Sequence, residues 1–249
     1  MPALCGTLNS ITVVPDSHSG FVMLNSFDAY IMGLMSRYSQ TSLTANKFVI
    51  QFLDLNSVKL LPFIVGLWLL WFSKTLRFRP AVVEAFLGMF ASIGISRLIQ
   101  NVLPERLRPL HSGNPEFVLP LGGDPQALEH WSSFPSDHAA LFFAVSTTIW
   151  RVWRPLGAVC YVWSVFVVCI PRIYAGYHYA SDILGGAAIG VLVALVVARP
   201  MQSELTPWIM ALEKRYTAAF YAAFFILSYE FMTMFIELRR VGQALKHLL

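Results

Sequence analysis

Three short polar clusters interrupt the apolar sequence of this 249-residue chain. They read "ERLRP" at 105–109, "SFPSDH" at 133–138 and "RIYAGYHYASD" at 172–182. Together they contain arginines, histidines, a serine and an aspartate. Because ionisable groups are costly to bury at membrane depth, residues of this kind mark a site by default.

Two histidines in these clusters could act as a nucleophile and an acid. His178 and Asp182 are four residues apart and would share one face of a continuous helix. The carboxylate would hold one ring nitrogen protonated, which leaves the other free as a nucleophile or base. Gly176 allows the sharp bend that this placement needs. His138 could donate a proton to a departing oxygen while His178 attacks phosphorus.

The remaining polar residues suit a bound phosphate. Arg108 and Arg172 offer planar, forked donors that match tetrahedral oxyanions. Ser136 opens an apolar helix, where its hydroxyl and the backbone N–H groups form an anion site. Each residue also has a plainer explanation, with Ser136 as a helix cap and Asp182 as a complement to the helix dipole. Their occurrence together favours a phosphate pocket.

The sequence gives no sign of a metal site or a cofactor. It contains no Asp, Glu and His cluster with metal-ligand spacing and no glycine-rich nucleotide loop, and its three cysteines lack CxxC spacing. We therefore expect no metal and no cofactor, and a phosphohistidine mechanism. The net charge of +4 is spread among loops, so we expect no nucleic-acid partner.

The composition predicts an all-α integral membrane protein. Hydrophobic residues make up 56% of the chain and charged residues 13%, whereas soluble domains have about 25% charged residues. Six spans are predicted, at 57–73, 80–103, 138–154, 156–172, 181–198 and 216–236. We expect one transmembrane domain, 56–238, after a tail with interfacial helices, 1–55, and before a basic tail, 239–249. The alternative is that a helix in 26–55 also crosses the membrane.

A long connection rich in Pro and Gly, the site loop 104–137, joins the second and third spans. Span counting puts it on the same side as 172–182. Basic residues gather in the short loops of the opposite side, namely Lys74, Arg77, Arg79, Arg151, Arg154, Arg199, Lys214 and Arg215. By the positive-inside tendency that side is cytoplasmic and the site faces outward, although the tail 239–249 argues against this orientation.

Other polar residues of the site loop are expected to form a solvated surface. The alternative is a lid or a headgroup site. The residues concerned are His111, Glu116, Asp124, Glu129, His130 and Trp131.

The three clusters resemble the motifs of the type 2 phosphatidic-acid phosphatase superfamily. In that family a lysine precedes Arg-Pro by six intervening residues, Pro-Ser-Gly-His follows, and Ser-Arg is then spaced from a His and an Asp. Here the motifs stand as "NVLPERLRP", "PSDH" and "PRIYAGYHYASD", between Asn101 and Gly186.

The resemblance implies a role for each motif residue. His178 would be the nucleophile, Asp182 its orienting partner and His138 the general acid. The phosphate would be bound by Arg108, Ser136 and Arg172.

This chain departs from the family pattern at three positions. Asn101 stands where the family has its lysine, and Arg97 or Arg106 could replace the missing charge. Asp137 replaces the family glycine, which adds negative charge near an anionic substrate but also suits a helix N-terminus. Pro171 replaces the serine before the last motif arginine.

"SFPSDH" without the motif lysine looks most like the bacitracin-resistance branch, which hydrolyses undecaprenyl diphosphate outside the cytoplasmic membrane. That resemblance implies a multi-pass bacterial membrane enzyme that recycles the lipid carrier of peptidoglycan. The alternatives are a phosphatase of phosphatidic acid or phosphatidylglycerol phosphate, acting in phospholipid metabolism, and a lipid phosphotransferase. A non-catalytic protein that binds or transports a lipid phosphate is a further alternative.

Overall fold

The computed structural model describes residues 25–39, 41–75, 78–114, 117–129 and 131–236. All regular elements in these ranges are helical, which confirms the all-α prediction. Several sequence predictions fall outside them, namely those for residues 1–24, the tail 239–249, Arg77, Glu116 and His130.

The described ranges contain eight helices. They are α1 Ser26–Ser39, α2 Leu43–Asp54, α3 Asn56–Trp71, α4 Arg79–Val102, α5 Asp137–Val152, α6 Arg154–Tyr174, α7 Ala180–Arg215 and α8 Thr217–Met232. Helices α6 and α7 each include a π-helical segment, at Ser164–Cys169 and Val193–Ala198. Pro80 lies in the first turn of α4, where a missing N–H has no consequence.

Three of these helices, α4, α6 and α7, are long and apolar enough to cross a membrane. The bent pair of α2 and α3, whose axes meet at 61°, raises the number to four when it is taken as one span. Helices α5 and α8 are 16 residues long. The arrangement of six spans therefore stays a prediction.

Helix α7 is longer than the predicted span 181–198, because it continues through the basic segment that the sequence analysis places in a loop. Packing explains the difference. Leu205 and Ile209 contact the hydrophobic core of the bundle. One turn further on, Glu213 forms an ion pair of 2.7 Å with Arg79 of α4.

Helix α5 is central to the bundle and packs against α4, α6 and α7. Small residues on α7 allow a close approach, since a Cβ at Gly186 would overlap the Ser136 carbonyl and one at Gly190 the Ala140 carbonyl. The N-terminal ends of α5 and α7 are tied by a hydrogen bond of 3.1 Å from the Ser136 amide to the Asp182 carbonyl. This contact brings the second and third polar clusters together.

Candidate active site

A cavity of about 560 Å³ lies where the N-terminal ends of α5 and α7 meet the C-terminal end of α6. Its charged residues and histidines are Arg97, Arg108, Asp137, His138, Arg172 and His178. Its apolar lining includes Leu53, Ile93, Leu128 and Phe235. The structure thus brings together both histidines and both arginines of the three clusters, next to an apolar wall.

The ring of His178 is held in one orientation by the backbone of the site loop. Its Nδ1 lies 2.8 Å from the carbonyl oxygen of Ser133. A carbonyl only accepts hydrogen bonds, so Nδ1 carries the proton and Nε2 keeps its lone pair. Nε2 lies 3.5 Å from Nη1 of Arg108. Burial lowers the pKa of His178 below its ordinary value, which favours the neutral, nucleophilic ring.

Asp182 does not hold His178 in the way that the sequence analysis expects. The continuous helix does not form, because α7 begins at Ala180 and His178 precedes it. The Asp182 carboxylate accepts the Tyr179 amide at 2.7 Å and caps the helix. It lies 3.7 Å from Nδ1 of His178, so its effect on the ring is electrostatic while Ser133 makes the hydrogen bond.

A buried charge network that extends outside the three clusters to Asp28 supports Asp182. Arg106 pairs with Asp182 and, at 2.8 Å, with Asp28 of α1. Asp28 also accepts the amide of Ser181 at 2.8 Å and its hydroxyl at 2.5 Å. Arg106 stacks over the Tyr179 ring at 4.4 Å and does not line the cavity. Its charge therefore serves this network, and it is not placed to replace the motif lysine.

Arg108 is oriented by backbone carbonyls on two sides. It donates to Trp131 at 3.0 Å and to Ser132 at 3.1 Å, and also to the carbonyl of Tyr177. Burial lowers the pKa of Arg108 to about 10, so the guanidinium is still charged at neutral pH. A fixed cation beside His178 suits a phosphate under attack at that histidine.

A tight turn carries the chain from Arg172 to His178. The Arg172 carbonyl accepts the Tyr177 amide at 2.9 Å and the His178 amide at 3.3 Å. Gly176 has a φ of +73°, and a Cβ there would collide with the ring of Phe117. The bend that the sequence predicts is therefore present, and it places Arg172 and His178 on the same cavity.

His138 lies across the cavity on the first turn of α5. Its Nδ1 is 2.9 Å from Oδ1 of Asp137, and its Nε2 is 3.4 Å from Oδ1 of Asn56. The other carboxylate oxygen of Asp137 pairs with Arg97 at 2.5 Å. Arg97 lies over the Trp131 ring at 4.3 Å. Asp137 is thus bound between His138 and Arg97.

Ser136 and Asn101, like Arg106 and Asp182, lie away from the cavity lining. Ser136 is fully buried and caps α5, accepting the Ala139 amide at 3.4 Å, so it has the plainer of its two expected roles. Asn101 is exposed near the end of α4. Of the three candidates for the missing motif charge, only Arg97 lines the cavity.

Sequence reasoning missed Asp28, Asn56 and the carbonyl of Ser133. The first two belong to no motif. A carbonyl acceptor has no side-chain signature, so its role emerges only from folding. Trp131, which is expected on a solvated surface, is exposed and also lines the cavity. In the described ranges no three His, Cys, Asp or Glu side chains are grouped to hold a metal ion.

Comparison with known proteins supports the resemblance. Residues 105–204 match the PAP2 superfamily model. The chain is 33% identical over 137 residues to the bacitracin transport permease protein BcrC of Bacillus licheniformis, which covers 53% of this chain and 62% of that protein. It is 29% identical over 141 residues to the lipid A 1-phosphatase of Rhizobium etli, with 51% and 57% covered. Less than two thirds of each curated relative is therefore aligned.

Among solved structures, the first transmembrane PAP2-type phosphatidylglycerolphosphate phosphatase from Bacillus subtilis matches with 22% identity and a TM-score of 0.45. The match covers 72% of this chain and 85% of that one. Both polar clusters that supply the histidines lie inside the segment that the family model matches. Residues 105–204 of this chain are thus similar to the PAP2 superfamily.

Proposed function

We propose that this chain hydrolyses a membrane lipid phosphate or diphosphate through a phosphohistidine on His178, without a metal ion. The observation that carries the proposal is the tautomer of His178. The Ser133 carbonyl holds Nδ1 protonated at 2.8 Å, so the Nε2 lone pair is available beside Arg108. A buried, neutral imidazole next to two cavity-lining arginines is suited to attack a bound phosphoryl group.

In the first half-reaction, Nε2 of His178 forms a bond to phosphorus and the bond from phosphorus to the lipid oxygen breaks. His138 gives its proton to that departing oxygen. Arg108 and Arg172 balance the charge on the phosphoryl oxygens. The phosphorylated ring is cationic, and the Ser133 carbonyl and the nearby Asp182 carboxylate stabilise it.

In the second half-reaction, water attacks phosphorus from the side of the cavity. Neutral His138 takes the proton of the water as the new P–O bond forms and the P–N bond breaks. Inorganic phosphate leaves, while His178 returns to its neutral form and His138 to its protonated form. An alcohol in place of water would give phosphotransfer through the same intermediate.

For the substrate we propose undecaprenyl diphosphate, which would yield undecaprenyl phosphate and phosphate. The similarity to BcrC and the "SFPSDH" motif support this choice. The apolar wall of Leu53, Ile93 and Phe235 would contact the first part of the lipid chain. The similarity to a lipid A 1-phosphatase keeps lipid monophosphates as the second candidate class.

We further propose that the protein is a multi-pass protein of the bacterial cytoplasmic membrane and that the cavity opens outward. Three membrane-length helices support the membrane location. The basic residues Lys74, Arg79, Arg151 and Arg154 at the end of the bundle away from the cavity support the cytoplasmic assignment of that end.

The test is phosphate release by the purified protein in detergent with a chelator present. Undecaprenyl diphosphate, phosphatidic acid and phosphatidylglycerol phosphate are offered separately, with His178→Ala as the control. We expect chelator-resistant release that is strongest with the diphosphate and absent in the variant. Preference for a monophosphate would shift the proposal to phospholipid metabolism, whereas activity that requires a divalent metal would overturn the mechanism.

Two further readouts separate the alternatives. The protein is exposed briefly to a substrate whose terminal phosphate is labelled. A label on the protein that is labile in acid and stable in base would identify the phosphohistidine. Label that moves to an added lipid alcohol would identify a phosphotransferase. Tight binding of the diphosphate with neither label nor release would favour a binding or transport protein.

A further inference from the structure

We propose that Asp137 is a positioning residue that holds His138 as the proton donor to the leaving group, with Arg97 as the counter-charge that makes a carboxylate tolerable there. The inference rests on the proposed function and deepens it.

The contacts of Asp137 fix His138 at two points. Oδ1 accepts the backbone amide of His138 at 2.8 Å and lies 2.9 Å from its ring Nδ1. A carboxylate accepts hydrogen bonds, so Nδ1 carries a proton in this pair. Nε2 then remains as the atom that exchanges a proton with the substrate, near Asn56 at 3.4 Å. The carboxylate thereby sets both the rotamer and the tautomer of His138.

Charge around His138 gives the carboxylate a second role. Burial of the ring is the largest influence against its protonated form, and the cations Arg172 of α6 and Lys59 of α3 act in the same direction. Asp137, in direct contact, opposes them and stabilises the imidazolium form. Since a general acid must carry its proton when substrate arrives, this counterbalance matters for the first half-reaction.

A carboxylate beside a phosphate site would repel the substrate if its charge were not balanced. Arg97 supplies that balance through the 2.5 Å pair with Oδ2, and Asp137 is buried. Arg97 is itself fixed by the Trp131 ring and by Gln100, whose side-chain oxygen accepts from it at 3.1 Å. The cation and the carboxylate therefore act as one rigid unit.

This unit links two departures from the motif pattern. Asp137 stands at the motif glycine, and Arg97 lies one helical turn before Asn101, which stands at the motif lysine. A glycine at 137 would leave Arg97 without this carboxylate and His138 without its Nδ1 acceptor. The missing lysine and the added aspartate are therefore related, because Arg97 supplies a positive charge near the lysine position and pairs with Asp137.

The experiment compares two phosphate esters that need a general acid to different degrees. Dodecyl phosphate has a strongly basic leaving alkoxide, whereas 4-nitrophenyl phosphate releases a weakly basic phenolate. The full-length protein in detergent is assayed as wild type, Asp137→Asn, Asp137→Gly and His138→Ala. Asp124→Asn is the matched control, because Asp124 is an exposed acid of the same loop.

We expect Asp137→Asn to lower turnover of dodecyl phosphate about 10²-fold, within the range of a general acid. Turnover of 4-nitrophenyl phosphate should change by less than about 3-fold, since it needs little protonation. In the His138→Ala background, Asp137→Asn should have no added effect on dodecyl phosphate. The basic limb of the pH profile should move to lower pH in Asp137→Asn, because the imidazolium loses its carboxylate.

Equal losses on both esters would overturn the inference, since they would indicate damage to the cavity and not to the acid. Unchanged turnover of dodecyl phosphate in both Asp137 variants would overturn it too. If the wild-type protein hydrolysed neither ester and released no phosphate from lipid substrates, the proposed function would be wrong and the inference with it. Wild-type hydrolysis with equal losses would defeat the inference alone.

Discussion

Asp28 of α1 and Arg106 of the site loop form a buried ion pair of 2.8 Å, which joins a helix outside the matched family segment to the centre of the site. Arg106 also pairs with Asp182, and Asp28 accepts a hydrogen bond from the backbone amide of Ser181. Helix α1 therefore fixes the start of α7, which directly follows the turn that carries His178. Helix α1 is therefore part of the framework of the candidate active site.

Asp28→Asn should destabilise the protein and lower phosphatase activity together. Removing one partner of a buried ion pair costs about 3–5 kcal/mol, because the other charge stays buried and uncompensated. Thermal unfolding in detergent and phosphate release measure the two effects. Glu204→Gln, a change at an exposed acid of α7, is the matched control and should alter neither. Unchanged unfolding of Asp28→Asn would contradict the supporting role of α1.

The pH dependence with 4-nitrophenyl phosphate should report His178. The ring attacks only when neutral, so activity rises as pH rises through its pKa and is lost below it. Because burial lowers that pKa, the acid limb should lie below about 6.5, the ordinary histidine value. Initial rates of the wild-type protein from pH 4 to 8 give the cleanest measurement with this ester, because its leaving group needs little protonation. An acid limb above the ordinary value would be inconsistent with a buried, neutral nucleophile.

Arg108→Lys should retain the positive charge yet lose most of the activity. The guanidinium reaches the Trp131 and Ser132 carbonyls and still faces His178, whereas a lysine ammonium has no such fork. Loss of one donor to transition-state charge costs about 10²–10³ in kcat. Steady-state kinetics should show the fall in kcat, and Arg37→Lys on the exposed face of α1 should show none.

Gly176→Ala should destabilise the turn that presents His178. A side chain at a φ of +73° costs about 1–2 kcal/mol, and the new Cβ also meets the ring of Phe117. Gly66→Ala on α3 is the control, because no atom lies within 4 Å of a Cβ there. Adding Phe117→Ala should restore the stability lost through the collision but not the stability lost through the unfavourable φ. Thermal unfolding measures the loss of stability, and kcat measures its effect on the position of His178.

The sequence predicted the helical class, the resemblance to the superfamily and the positions of the helix starts near the site within a few residues. These features depend on local signals, namely apolar runs, Pro80 in a first turn and the spacing of the polar clusters. The relation between His178 and Asp182 was predicted less well. Their spacing suits a helix, but the turn at Gly176 delays the start of α7 and gives Asp182 a capping role.

The sequence by itself determined which groups are available: two histidines, two motif arginines and a carboxylate in an apolar chain. Their types and order are covalent properties. Only the tertiary structure decided which partners they have, since the Ser133 carbonyl sets the His178 tautomer and Arg97 meets Asp137 forty positions away. Such partnerships arise where helix ends pack together, because every buried polar group needs a partner and packing determines which one lies within reach.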